Sequence, residues 1–247
     1  MNKFLIIGYG VVGHNLDKEL SVLKCDVCDK YKKDVTTKKE GKYDVAFVCV
    51  DTPLKEDGTL DWCEVRNAIN ENDAEIYVIK STVPVGVTDL LKQETGKRIV
   101  FSPEYYGGTQ HCNNHVFDFT ILGGDKRDCV EIQQIFQRVY DGRHVFHLVD
   151  SKSAEMTKFM ENSWLATKVT FCCEFARACN KAGIDYETVR ELFLCDPRVN
   201  PSHTFVYKEH PYFDSHCLNK DVPHVANQFD IKLLKDVLEI NKENKNR

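Results

Sequence analysis

Three glycines near the N-terminus, Gly8, Gly10 and Gly13 of GYGVVG, are spaced to bring backbone against a pair of phosphates, and an acid, Asp29, follows them. Gly8 permits a tight turn, Gly10 lets backbone approach a pyrophosphate, and Gly13 lets a helix pack closely on a strand. A helix starting at Val11 and Val12 presents N–H groups and a positive dipole end to the phosphates. Asp29 would accept both hydroxyls of an adenosine ribose and repel a 2′-phosphate, which favours NAD over NADP. Lys30, directly after it, works against that preference. The same glycines could also serve sterics alone, in a βα turn with no ligand.

The elements around these residues have the order such a site needs. Phe4–Ile7 reads as a buried strand, Val12, Leu16, Leu20 and Leu23 recur at helical spacing, and Cys25–Cys28 is a second strand ending on Asp29. Asp44–Val50, Ile76–Ile79, Arg98–Phe101, Asp118–Leu122 and Arg143–Leu148 read as further strands. Between them lie a short helix carrying Trp62, Val65 and Ile69 and capped by Asp61, then helices over Val87–Glu94 and Cys129–Tyr140. Residues 1–150 are therefore expected to form a doubly wound parallel α/β sheet, a Rossmann-type domain, with its polar motifs at the strand ends where such sheets hold ligands. After Asp150 the strand signal stops. A long helix over Ser151–Gly183, with Ser153 as cap and Glu155 nearby, leads into an all-α domain over 151–240. That domain has helices at Asp185–Leu194 and Val222–Ile240 around a loop-rich stretch, and 241–247 is expected to be a frayed charged tail.

The 247 residues suffice for one large domain or two modest ones, and the 42% apolar fraction suits a packed protein. A net charge of −5 offers no basic surface for nucleic acid or membrane. The apolar part of MNKFLIIG is too short for a signal peptide or a span. The 11 cysteines sit inside predicted elements, and Cys25-x-x-Cys28 lies in a strand whose alternate side chains diverge. The expectation is a cytoplasmic protein with reduced thiols and no metal.

Seven segments recur in one order: GYGVVG from Gly8, CVDTP from Cys49, KSTVPVG from Lys80, FSPE from Phe101, AEMTKFMENSWLATKVTF from Ala154, DPR from Asp196 and CLNKD from Cys217. Together they resemble the nucleotide-sugar dehydrogenases, the UDP-glucose 6-dehydrogenase and GDP-mannose 6-dehydrogenase family. The resemblance implies oxidation of a sugar primary alcohol to a carboxylate in two NAD-dependent hydride transfers, the second through a thioester. On that likeness Cys217 is the nucleophile, Lys220 favours its thiolate, and Asp221 holds a water or accepts a proton. Lys158 and Asn162, four apart on the long helix, stabilise an oxyanion. Thr82 places the nicotinamide or a water, Glu104 stands near the hydrolytic water, and Thr52 and Lys220 lie near the cofactor. Arg198 reaches the substrate of a neighbouring subunit, which requires a homodimer built on the long helix. Taken residue by residue, each could instead be ordinary: a small buried thiol, a solvated lysine, a strand-end hydroxyl, a loop arginine.

The sequence also departs from the family. Tyr212-Phe213-Asp214-Ser215-His216 replaces a glycine-rich run before the cysteine, and puts an acid and an imidazole beside it. Tyr105-Tyr106-Gly107-Gly108 follows SPE where the family has FLRE, and Cys173 replaces an asparagine. Family chains continue into another α/β domain that grips the nucleotide, whereas this sequence stops at Arg247. That implies weaker nucleotide binding, a smaller substrate, or a separate chain that supplies the grip. The competing readings are an active dehydrogenase, a catalytically degenerate NAD-binding or interaction protein of the same fold, and a hydroxyacid dehydrogenase with a lysine-based site.

Overall fold

The apolar run Phe4–Ile7 forms β1, and its side chains divide by the strand period: Leu5 and Ile7 enter one apolar cluster, Phe4 and Ile6 another. The computed structural model describes residues 3–106 and 117–246. Among these, β2 (Asp26–Cys28), β3 (Tyr43–Val48), β4 (Ala74–Ile79), β5 (Arg98–Phe101), β6 (Phe119–Gly123) and β7 (Val145–Val149) join β1 in one sheet, ordered β2-β1-β3-β4-β5-β6-β7. Helices α1 (Val11–Glu19) and α4 (Lys126–Phe136) bring Leu16, Ile132 and Phe136 to the Phe4 and Ile6 cluster. On the other side, α2 (Cys63–Glu71) and α3 (Val87–Thr95) bring Val65, Ile69 and Leu91 to the Leu5 and Ile7 cluster. A sheet covered on both faces explains the near-continuous apolar strands.

The sheet is not parallel throughout. The pairs from β2 to β5 are parallel, β5 and β6 are antiparallel, and β6 and β7 are parallel to each other. A parallel neighbour needs a crossover, usually helical, and the sequence between β5 and β6 has no helical apolar period.

The chain divides into two compact units. One holds the sheet and runs through Lys158, apart from Glu56–Thr59. The other comprises Glu56–Thr59 and the chain from Phe159 onward. Helix α5 (Ser151–Ala182) has 32 residues, roughly 48 Å of helix. Its N-terminus is tied by Asp150, which accepts from the Ser153 N–H at 2.9 Å and its hydroxyl at 2.6 Å; Ser153 is not the cap. It ends at Gly183, φ +70°, which lets the Ile184 N–H reach the Cys179 carbonyl at 2.9 Å.

In the second unit, Asp185 caps α6 (Tyr186–Phe193) by accepting from the Thr188 N–H at 2.8 Å. The single helix expected over Val222–Ile240 is two, α7 (His216–Gln228) and α8 (Lys232–Lys245). Ser215 starts α7 early by accepting from the Leu218 N–H at 3.2 Å, and Pro223 is carried inside the helix. Asp230 breaks it at φ +52°, with the Ile231 N–H on the Ala226 carbonyl at 3.0 Å. The stretch expected to fray is helical to Lys245, with Asn241 and Asn244 buried. Among the described residues no helix is long and apolar enough to cross a membrane.

Candidate active site

The glycine turn separates what the fold needs from what a ligand needs. Gly8 has φ +90°, and a Cβ there would stand 2.6 Å from the Cys49 carbonyl oxygen. A Cβ on Gly13 would stand 2.0 Å from the Gly8 oxygen. Both positions must be glycine for the chain to close. Gly10 has an ordinary φ of −76°, and nothing lies within 4 Å of where its Cβ would be. Packing does not require that glycine; close approach of a pyrophosphate does. The first turn of α1, at Val11 and Val12, has neither a side-chain cap nor an acid, so its N–H groups suit an anion. The residues fit NAD.

Asp29 Oδ2 accepts from the Tyr9 N–H at 2.6 Å, and Oδ1 accepts from the Tyr31 and Lys32 N–H groups at 2.8 Å each. Burial pushes this carboxyl up, but the three backbone donors outweigh it and hold it below the usual carboxylate range. A carboxylate has about four acceptor sites. In this arrangement Asp29 has room for one ribose hydroxyl, not the two expected from the sequence.

At the strand tips of the same unit, the Thr52 hydroxyl donates to the Thr82 carbonyl at 2.8 Å, both residues being buried. This stitches the β3 tip to the β4 tip. Glu104 is buried after β5. Its Oε2 accepts from the Tyr106 N–H at 2.8 Å, and its Oε1 lies 3.9 Å from Lys158 Nζ. Lys158 Nζ also stands 5.1 Å from the centre of the Tyr105 ring. Gly107 and Gly108, which follow, lie outside the described residues.

Two residues in this region were given no such role from the sequence. Lys80, buried, donates to Ser102 Oγ at 3.2 Å and to the Pro103 carbonyl at 3.5 Å, so it fixes the turn that carries Glu104. Burial pushes its ammonium down. The signal was a lysine at the end of an apolar strand, a place where solvent is excluded. Glu155 caps α3, its carboxylate accepting from Gly86 N–H at 2.6 Å and Thr88 N–H at 2.9 Å.

In the second unit Cys217 is the second residue of α7 and half-buried, where the helix dipole favours negative charge. Lys220 and Asp221, three and four residues on, share its face. Lys220 Nζ donates to Asp221 Oδ1 at 2.6 Å, and Asn162 Nδ2 donates to Asp221 Oδ2 at 2.6 Å; all three residues are buried. The run that replaces the family's glycines is held without glycine geometry. Among the described residues only Lys24, His203 and Asp230 are non-glycines with positive φ. Asn241 accepts from the Phe213 N–H at 2.8 Å and donates to its carbonyl at 3.0 Å, while Asp214 accepts from Asn219 at 2.7 Å and Lys245 at 2.9 Å. His216 is exposed.

Three of the other thiols make poor nucleophiles. Burial pushes Cys25, Cys49 and Cys173 up to about 12, so they stay protonated at neutral pH. Arg198 is exposed and binds Asp196 of its own turn, Nη2 to Oδ2 at 2.6 Å.

The covered sheet and the glycine turn define an NAD-binding domain of the dehydrogenase type. Residues 11–142 match the NAD binding domain of the UDP-glucose/GDP-mannose dehydrogenase family, and residues 152–243 match its central domain. The chain belongs to that family. It is 28% identical over 245 residues to the UDP-N-acetyl-D-mannosamine dehydrogenase of Methanocaldococcus jannaschii, covering 91% of this chain and 54% of the relative. It is 27% identical over 218 residues to the UDP-glucose 6-dehydrogenase YwqF of Bacillus subtilis, covering 80% and 48%. The chain thus spans about half the length of these two relatives. Among solved structures, a UDP-glucose dehydrogenase from Pyrobaculum islandicum superposes with a TM-score of 0.83 at 20% identity, over 98% of this chain and 68% of that one. The 3-hydroxyisobutyrate dehydrogenase of Mycobacterium tuberculosis shares the fold, with a TM-score of 0.71 at 13% identity, over 98% and 93%.

Proposed function

We propose that the protein oxidises the primary alcohol of a nucleotide sugar to the carboxylate, with a covalent stage on Cys217. The observation that carries this reading is the buried Asn162–Asp221–Lys220 set on the face of α7 that also bears the thiol. Bound NAD supplies the hydride acceptor at each oxidation. In the first, the alcohol passes a proton through a water to the Asp221 carboxylate and its carbon gives up a hydride, leaving an aldehyde. The Cys217 thiolate then forms a C–S bond to that carbon. The ammonium of Lys158 and the second N–H of the Asn162 amide stabilise the alkoxide so formed. Loss of a second hydride leaves a thioester. Water, deprotonated by Glu104, adds to it, the C–S bond breaks, and the thiolate leaves as the carboxylate forms.

The homodimer expected from the sequence is part of this proposal. Met160, Trp164, Phe171 and Phe175 recur at helical spacing on α5 and are exposed, Trp164 by 61%. A second copy of the same helix is the self-complementary partner such a stripe suits.

The test is purified protein with NAD and, in turn, UDP-glucose, UDP-N-acetylmannosamine and GDP-mannose. The expected result is two NADH per carboxylate with one of the three, and no carboxylate from Cys217→Ser. NAD binding without NADH from any of them overturns the proposal. That outcome favours the degenerate NAD-binding reading, which the Phe213 side chain buried where the family keeps glycine already supports.

A further inference from the structure

The two flanks of the cofactor crevice are joined by an ion pair that the chemistry above does not use. Strand order reverses at β1, so the crevice lies between the tip of β2 on one side and that of β3 on the other. Lys30 follows Asp29 on the β2 flank. Glu64 is in the first turn of α2, on the β3 flank. Lys30 Nζ lies 3.3 Å from each Glu64 carboxylate oxygen, and the Asn67 amide holds Glu64 from its own helix at 3.3 Å. The neighbouring Lys32 is engaged as well, its Nζ donating to the Tyr9 carbonyl at 2.8 Å.

These contacts bear on the one feature of the sequence that blurs the choice of cofactor. Lys30 and Lys32 flank the acid that meets the adenosine ribose, and an ammonium there would welcome a 2′-phosphate of about two negative charges. Neither amine is turned to that task. We propose that Glu64 is a specificity-determining residue for the cofactor: by engaging Lys30 across the crevice, it keeps the adenosine end selective for the free 2′-hydroxyl of NAD. Asp29 supplies the repulsion, and Glu64 removes the attraction that would offset it. Lys30 is well exposed, so the effect is modest and sensitive to salt.

The experiment measures binding rather than turnover, so its outcome is independent of the proposed reaction. NAD and NADP are titrated into wild type, Glu64→Gln, Lys30→Met and the double variant, by calorimetry at low salt. Glu64→Gln is expected to tighten NADP about three- to fivefold while NAD stays within about twofold. The gain disappears in the double variant and shrinks in about 0.5 M salt. Lys30→Met alone leaves NADP binding unchanged, because its amine is already engaged. An unchanged NADP-to-NAD ratio in Glu64→Gln overturns the proposal. So does a gain that survives loss of Lys30, or a weakening of NADP by Lys30→Met alone.

Discussion

The Asn162 amide donates to Asp221 Oδ2 at 2.6 Å, and the other oxygen of that fully buried carboxylate takes Lys220 Nζ at the same distance. The three groups satisfy one another, so removing one leaves the others exposed to the cost of burial. Asp221→Asn keeps the shape but removes the carboxylate charge that Lys220 pairs with, and is expected to cost about 3–5 kcal/mol in urea unfolding. The double variant Lys220→Met, Asp221→Asn recovers more than half of that loss, a coupling read directly from the double-mutant cycle.

The glycine turn yields a second expectation. Gly10→Ala adds a methyl group where the protein has nothing, so the unfolding midpoint stays near wild type while NAD binding by calorimetry falls at least about tenfold, the pyrophosphate approach being blocked. Gly13→Ala drives a methyl group into the Gly8 carbonyl and loses about 3 kcal/mol of stability.

Glu155 gives a pH dependence. Burial pushes its carboxyl above the usual range, and the N–H groups of Gly86 and Thr88 offset this only in part. The folded protein therefore holds this proton more tightly than the unfolded chain. Its contribution to stability is greatest at acid pH and declines as pH rises from the ordinary value of 4.5 through the raised folded value. Unfolding free energies of wild type and Glu155→Gln, compared from about pH 4 to pH 7, should show the wild type losing ground to the variant as pH increases.

The exposed stripe on α5 is tested by Trp164→Glu. A charge at its centre is expected to leave a folded monomer by light scattering, with circular dichroism unchanged. A variant that stays dimeric moves the interface off this helix.

Much of the first unit could be read from the sequence because its signals are local. Both faces of the sheet are covered, so Phe4–Ile7 and Tyr43–Val48 advertise themselves as apolar runs, and in the second unit the end of α5 at Gly183 rests on Cys179, a few residues away. What was missed lay either in partners distant in the chain or in local caps of an unexpected residue type. The reversal at β6 follows from a connection with no helical period. Helix α7 begins before Pro223 because Ser215 caps it, and it stops at an aspartate in a left-handed turn where a glycine would have been the cue. Lys80, Glu155 and Asn241 owe their roles to Ser102, Gly86 and Phe213, and nothing next to them in sequence announces those contacts. The long helix is legible from its pattern, but its caps are not: Asp150 ties its own start, while Glu155, inside it, serves the start of α3.

Asn241 grips the Phe213 peptide by both its N–H and its carbonyl. Asn241→Ala would leave both of these main-chain groups without that partner. Deuterium uptake at the Phe213 amide, four residues ahead of the thiol, would rise in that variant. The later turns of α8 thus act as a remote latch on the segment that presents Cys217.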